Sequence, residues 1–152
     1  MVKKKLLLLV IFVFIANCGY QPLYNTAGNI VFKEILLSGD KKINRKIISL
    51  TGLKNNKEKS GAPVLKINSE KQRVIVAKDT AGNAAVYKVI IKSNFKIEEN
   101  KKILNEKTFE ENFVFSNLKN TSTFDLLQYQ EILEENLIIS ISNQINIYLN
   151  SQ

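Results

Sequence analysis

The chain predicts an α+β two-layer sandwich: a four-stranded, mostly antiparallel sheet with two helices on one face. Three observations carry this. Residues 85–98 alternate apolar and polar positions, as a strand with one packed face does. Residues 121–150 carry one apolar stripe at helical spacing. The turn signals between the remaining segments give the order β-α-β-β-β-α. With 152 residues, 45% hydrophobic and 24% charged, the composition is that of one globular domain.

The first strand is expected over residues 29–37, "NIVFKEILL", rich in Val, Ile and Phe. Ser38, Gly39 and Asp40 break it. Asp40 suits the N-cap of a helix over residues 41–50, where Ile43, Ile47 and Leu50 share a face and Gly52 supplies the stop. Residues 54–61 form a polar loop whose lysines read as solvated. A second strand spans residues 63–79. Its apolar positions change parity between Leu65 and Ile67 on one side and Val74 and Val76 on the other, so a bulge is expected near Ser69 to Lys71. Gly82 and Asn83 mark a hairpin turn.

The third strand, residues 85–98, places Tyr87, Val89, Ile91, Phe95 and Ile97 on one face. Lys88, Lys92 and Lys96 take the other, with Val86 and Ile90 between them. A turn at residues 99–101 leads to a fourth strand over residues 102–116, with Phe109, Phe113 and Phe115 on a common face. The first crossover is expected to set strands one and two parallel. The long helix follows, with Thr121, Ser122 or Thr123 as its cap and Asp125 in its first turn. Its stripe runs Leu126, Tyr129, Leu133, Leu137, Ile141, Ile145, Tyr148. Ile132, Ile138, Ile139 and Ile147 lie off that stripe, more apolar surface than one contact needs, so Ile132, Ile138 and Ile139 are candidate partner-facing residues.

Ahead of this domain, Lys3, Lys4 and Lys5 precede eleven apolar residues, Leu6 to Ala16. At ~1.5 Å per residue that run is too short to cross a bilayer as a helix, and the pattern is that of an export signal, residues 1–17. It ends at Ile15-Ala16-Asn17-Cys18, which is similar to a bacterial lipobox; Leu is usual at the Ile15 position and a small residue at the Asn17 position. Cys18, the sole cysteine, is therefore the expected lipidation site. It would carry covalent diacylglyceryl and an N-acyl chain such as palmitate. Each buried CH₂ contributes ~0.8 kcal/mol, so two or three chains anchor a protein durably. Gly19 rather than Asp after the cysteine points to the outer membrane, by resemblance to bacterial lipoproteins. Residues 18–28 would be an acylated tether and 29–152 the domain. Removing three of the 22 basic residues leaves 19 against 14 acidic ones, so the formal charge falls from +8 to +5.

The absences also bound function. There is no His and no Trp, which excludes His-based catalysis and His-containing zinc sites. One cysteine excludes an internal disulfide. No phosphate-binding glycine motif occurs. Glu110 and Glu111 adjoin in a strand and so point to opposite faces, unable to serve one substrate. A non-enzyme with no cofactor beyond the lipid and no metal is expected. Nucleic-acid binding fits neither an exported chain nor dispersed charge with little Arg.

Two segments carry a family resemblance. The heptapeptide Cys18-Gly19-Tyr20-Gln21-Pro22-Leu23-Tyr24 and the hairpin Val76-Ala77-Lys78-Asp79-Thr80 to Tyr87 resemble the LptE family of LPS-assembly lipoproteins, in its alphaproteobacterial form. Signal, tether, element order and long C-terminal helix agree with that family across essentially the whole chain. The resemblance implies an outer-membrane lipoprotein on the periplasmic side that plugs the LptD β-barrel, helps it assemble, and takes part in delivering lipopolysaccharide to the surface. In the family, basic residues near this hairpin and near the start of the last helix are associated with lipopolysaccharide. Here the hairpin is shorter and holds no Arg, so only Lys78 matches the motif. Arg73, Lys88 and Lys92 lie near it in the expected sheet and complete a candidate basic strand face for anionic lipopolysaccharide groups. The alternative is a generic lipid-anchored periplasmic binding or scaffold module serving another envelope protein.

Overall fold

The computed structural model describes residues 31–58, 61–116 and 123–151. The expected signal, Cys18 and its tether, and the cap candidates Thr121 and Ser122, lie outside the described residues. The elements are β1 (Glu34–Gly39), α1 (Lys41–Thr51), β2 (Val64–Lys78), β3 (Ala84–Glu99), β4 (Lys102–Ser116) and α2 (Thr123–Asn150). This is the α+β order β-α-β-β-β-α, with the strands in one mixed sheet ordered β1-β2-β3-β4.

The chain enters the domain at Phe32, fully buried and bridged in parallel to Asn55. Lys33 N–H donates to the Pro63 carbonyl at 2.9 Å. Regular pairing starts only at Glu34, so β1 begins later than its β-propensity suggests and runs on to Gly39. It pairs parallel with β2, from Glu34 opposite Val64 to Gly39 opposite Ser69. The strand-to-helix junction there is tight. Gly39 has φ 76°, and a Cβ at this position would sit 2.1 Å from the Ser69 carbonyl oxygen. The next amide, Asp40 N–H, donates to that same oxygen at 2.7 Å. A side chain at residue 39 therefore meets both a left-handed backbone and a bonded carbonyl.

The Asp40 carboxylate accepts the amides of Lys42 and Ile43 at 2.9 and 3.0 Å, satisfying two donors at the helix start. Gly52 closes α1 in the left-handed conformation (φ 67°), its amide donating to the Ile48 carbonyl. Ile43 and Ile47 are buried, as the helical spacing predicts.

The antiparallel pairing of β2 with β3 is unbroken from Val64–Glu98 to Ile75–Tyr87. The bulge expected at residues 69–71 is not there. The register shifts instead between Ile75 and Ala77 and again between Ala77 and Lys78, beside the hairpin. The parity change has another cause. Ser69 occupies a core position, fully buried, and its hydroxyl bonds that of Ser93 across the pair at 2.6 Å. Beyond it the same face continues with Lys71 and Arg73, beneath α2, while Val74 falls on the open face. The hairpin is held by Asp79, whose carboxylate accepts the amides of Ala81 and Asn83, both at 2.9 Å.

Both helices pack on the sheet face made by Leu65, Ile67, Ile91, Phe95 and Phe109, in one cluster that includes Ile43, Ile47, Ile138, Ile141, Ile145 and Leu149. Phe109 meets Phe95 and Tyr148 edge-on, centroids 5.7 Å apart in each case. Buried aliphatic and aromatic side chains of this kind contribute roughly 1.5–3 kcal/mol each.

Candidate functional site

Three surfaces remain once the core is closed. The first is the open sheet face. Its lower two-thirds is neutralised within itself: Lys66 pairs with Glu98 (2.7 Å), Lys92 with Glu110 (3.2 Å) and Lys96 with Glu106 (3.4 Å). Asn94 adds bonds to Glu106 and Thr108 at 3.1 Å. These are cross-strand partners or their diagonal neighbours, so strand register alone brings them together.

Toward the hairpin this face changes character. Lys88 stands opposite Val74 on one side and Val114 on the other. The next rows place Ile90 between Gln72 and Asn112, and Val86 between Ala77 and Ser116. Val74 and Val114 are exposed at 45% and 56%. Lys88 has no carboxylate partner among the described residues.

The second surface is a cleft where α1, β2 and the first half of α2 meet. It has a volume of about 720 Å³ and continues into a smaller one of about 360 Å³ beside Arg73, Val89 and Leu127. Ion pairs zip its walls. Lys42 binds Glu131 at 2.7 Å, Lys46 binds Glu135, and Lys71 binds Glu134 at 3.0 Å. The hydrogen bond and charge of Glu131 raise the Lys42 pKa, and Lys42 lowers that of Glu131 in return. Arg73 lies over the Tyr87 ring, 3.7 Å from its centroid, and 5.4 Å from that of Phe115.

The third surface is the outer side of α2, where Tyr129, Ile132 and Ile147 are exposed.

The sequence-derived candidates distribute as follows. Lys78, Lys88 and Lys92 do not form one basic face with Arg73. Because no bulge occurs at residues 69–71, Arg73 points to the helix side, and Lys92 is already paired with Glu110. Lys78 is exposed at the end of β2, past both register shifts. Ile132 is exposed and Ile139 half-buried. Ile138 is only 6% exposed and belongs to the core, so it does not face a partner. The cause is the change of neighbours along a 28-residue helix: past residue 137 the buried positions are Ile138, Ile141, Ser142, Ile145, Asn146 and Leu149.

The zipper of Lys42, Lys46, Glu131 and Glu135 was missed by sequence reasoning. Its signal was present: lysines four apart on one helix face and glutamates four apart on another. Glu110 and Glu111 do separate. Glu110 lies on the open face, while Glu111 accepts from Ser140 (2.9 Å) and Gln144 of α2. Among the described residues, no three His, Cys, Asp or Glu side chains converge as a metal site.

No family model and no curated protein sequence matches the chain. Solved structures do. Rare lipoprotein B from Shewanella oneidensis superposes with a TM-score of 0.59 at 18% identity, covering 78% of this chain and 94% of its own. The minor lipoprotein from Acinetobacter baumannii gives 0.58 at 16%, covering 80% and 93%. Lipoprotein B from Nitrosomonas europaea gives 0.53 at 15%, covering 76% and 80%. This chain has their fold. At such identities the likeness is one of backbone path, so the surfaces must be read from this chain's own side chains.

Proposed function

We propose that the chain is an exported lipoprotein of the bacterial envelope, acylated at Cys18 and held on the periplasmic side of the outer membrane. In the finer reading it is of the LptE type: it plugs an LptD-like β-barrel, helps that barrel assemble, and serves lipopolysaccharide transport. The observation that carries this reading is a coincidence of two independent features. The domain shares its fold with three proteins named as lipoproteins, and the lone cysteine stands at the end of an export-like segment, where acylation would act. Direct contact with lipopolysaccharide would rest on the exposed Lys78 and on Lys88, which has no carboxylate partner among the described residues, since Arg73 and Lys92 are engaged within the domain.

Two measurements test this. Intact mass of membrane-extracted protein should equal residues 18–152 plus diacylglyceryl and one acyl chain; an unmodified full-length mass, from cells that process lipoproteins, would remove the anchor. Tagged protein extracted in mild detergent should bring down a large LptD-type barrel. Recovery of a different envelope protein in its place would favour a general lipid-anchored scaffold.

A further inference from the structure

We propose that the outer edge of β4 is an interface between two copies of this chain, in which the second copy lays its own β4 antiparallel to the first and joins the two four-stranded sheets into one. The inference goes beyond the function proposed above and does not depend on the barrel.

The edge is long and regular. β4 runs fifteen residues, Lys102–Ser116, and among the described residues no strand pairs with its outer side. Every second residue of an edge strand turns its amide and carbonyl away from the sheet, where they form a template for another strand. Past the register shift at Ile97/Glu98, pairing with β3 is unbroken from Asn105 to Ser116. The opposite side of the sheet is divided: β1 covers β2 only from Val64 to Ser69, and two register shifts interrupt β2 beyond Ile75. The chain also enters the domain on that opposite side, at Phe32 just ahead of β1, which leaves the β4 edge clear of it.

Charge selects the occupant and the register. A two-fold axis normal to the sheet keeps all the helices on one side, and side chains then face each other only between positions of like parity. Within residues 105–116 the only lysine is Lys107, and the only acidic residue of its parity is Glu111. Both lie on the helix side, opposite Phe95 and Ile91 of β3. One register, centred on Phe109, sets Lys107 opposite Glu111 of the second copy, and symmetry makes the pair twice. Registers centred on Lys107, Glu110 or Glu111 put like charges face to face on the axis, and one centred on Thr108 opposes Glu106 to Glu110. Neither member of the favoured pair is neutralised within its own chain. Lys107 has no carboxylate partner among the described residues, and Glu111 accepts only from the neutral groups of Ser140 and Gln144.

The helix above this edge fits the same axis. Ile147 lies three residues past Gln144 and seven past Ser140, on the side of α2 that bonds β4, and is 71% exposed. Tyr148 meets Phe109 with centroids 5.7 Å apart, so this end of α2 stands beside the axis. The two Ile147 side chains would add apolar area over the joined strands.

The test weighs the full chain, extracted in mild detergent, by sedimentation equilibrium with the detergent density-matched. The parent should reach twice the chain mass. Lys107→Glu and Glu111→Lys should each weaken the dimer roughly tenfold or more, because like charges then oppose one another twice. Mixed in equal amounts, the two variants should recover the double mass, since every opposed pair is again one acid and one base. A photo-cross-linking residue at Thr108 should join two copies, and one at Gln72, an exposed position of β2, should not. A parent that stays at single mass overturns the proposal. So does a dimer indifferent to Lys107→Glu, a mixture of folded variants that stays at single mass, or cross-linking from Gln72 in place of Thr108. Should Glu111→Lys fail to fold, by thermal unfolding, Lys107→Glu and the two cross-linking positions decide the matter.

Discussion

At the scale of single residues, Gly39 is the most constrained position described. Any side chain there meets the Ser69 carbonyl at 2.1 Å on a backbone with φ 76°. Gly39→Ala should destabilise by more than ~1 kcal/mol, with the urea midpoint lowered and the slope unchanged. Asp40→Ala removes the acceptor for two amides and should cost about 1 kcal/mol, whereas Asp40→Asn should retain most of that. Tyr148 presents the opposite case. Its hydroxyl is buried without a hydrogen-bond partner among the described residues, and burial raises its pKa. Tyr148→Phe should be neutral or stabilising, by up to ~1 kcal/mol, because it removes an unpaid desolvation. The sign with pH follows. Folding favours the neutral phenol, so parent stability falls as pH rises above the ordinary tyrosine range, and the Phe variant should lose that part of the alkaline decline.

At the scale of elements, α2 has two different halves. Its second half is anchored by apolar burial, from Ile138 to Leu149. Its first half reaches α1 and β2 through Glu131, Glu134 and Glu135, while Phe124, Leu127 and Tyr129 stay exposed. Exposed ion pairs are weak and screened by salt. Hydrogen exchange should therefore be faster in residues 124–136 than in 138–149, and raising salt should speed the first group selectively. Equal protection in both halves would show that the ion pairs do not set the order of opening. The pH window of the Lys42–Glu131 contact follows from the two shifts. The lowered Glu131 pKa contributes above the ordinary carboxylate range and is lost as pH falls through the shifted value. The raised Lys42 pKa contributes below the ordinary lysine range and is lost as pH rises through its own. The contact is thus intact across neutral pH.

At the scale of the whole molecule, helices cover one sheet face and charge neutralises most of the other. Exposed hydrophobic residues lie near the hairpin, at Val74, Ile75, Val76 and Val114, but also on β1 (Leu36, Leu37), at the start of β4 (Ile103, Leu104) and along α2 (Phe124, Leu127, Tyr129, Ile132, Ile147). A single Val114→Asp substitution should leave the unfolding temperature within a degree or two, since the side chain is 56% exposed, whereas Ile141→Asp in the core should abolish cooperative unfolding. Thermal unfolding measures that separation.

Much of this architecture was legible because alternation in residues 84–99 and the capped repeat in residues 40–52 are local. Element order, parallel entry of the first strand and a second sheet face left uncovered by helices followed from pattern and turn chemistry alone. The proposed acylation of the lone cysteine behind an export-like run likewise rests on sequence and on no fold. The tertiary structure decided what pattern cannot encode. Ser69 and Ser93 fill core positions because they satisfy each other across two strands, so a polar residue did not mark a bulge. Ile138 is core and Tyr129 exposed because the neighbours of a long helix change along its length. Arg73 turned to the helix side, and Lys66, Lys92 and Lys96 each meet a glutamate, because strand register determines which glutamate stands opposite which lysine. Those are relations between residues far apart in the chain, and only packing brings them within bonding distance.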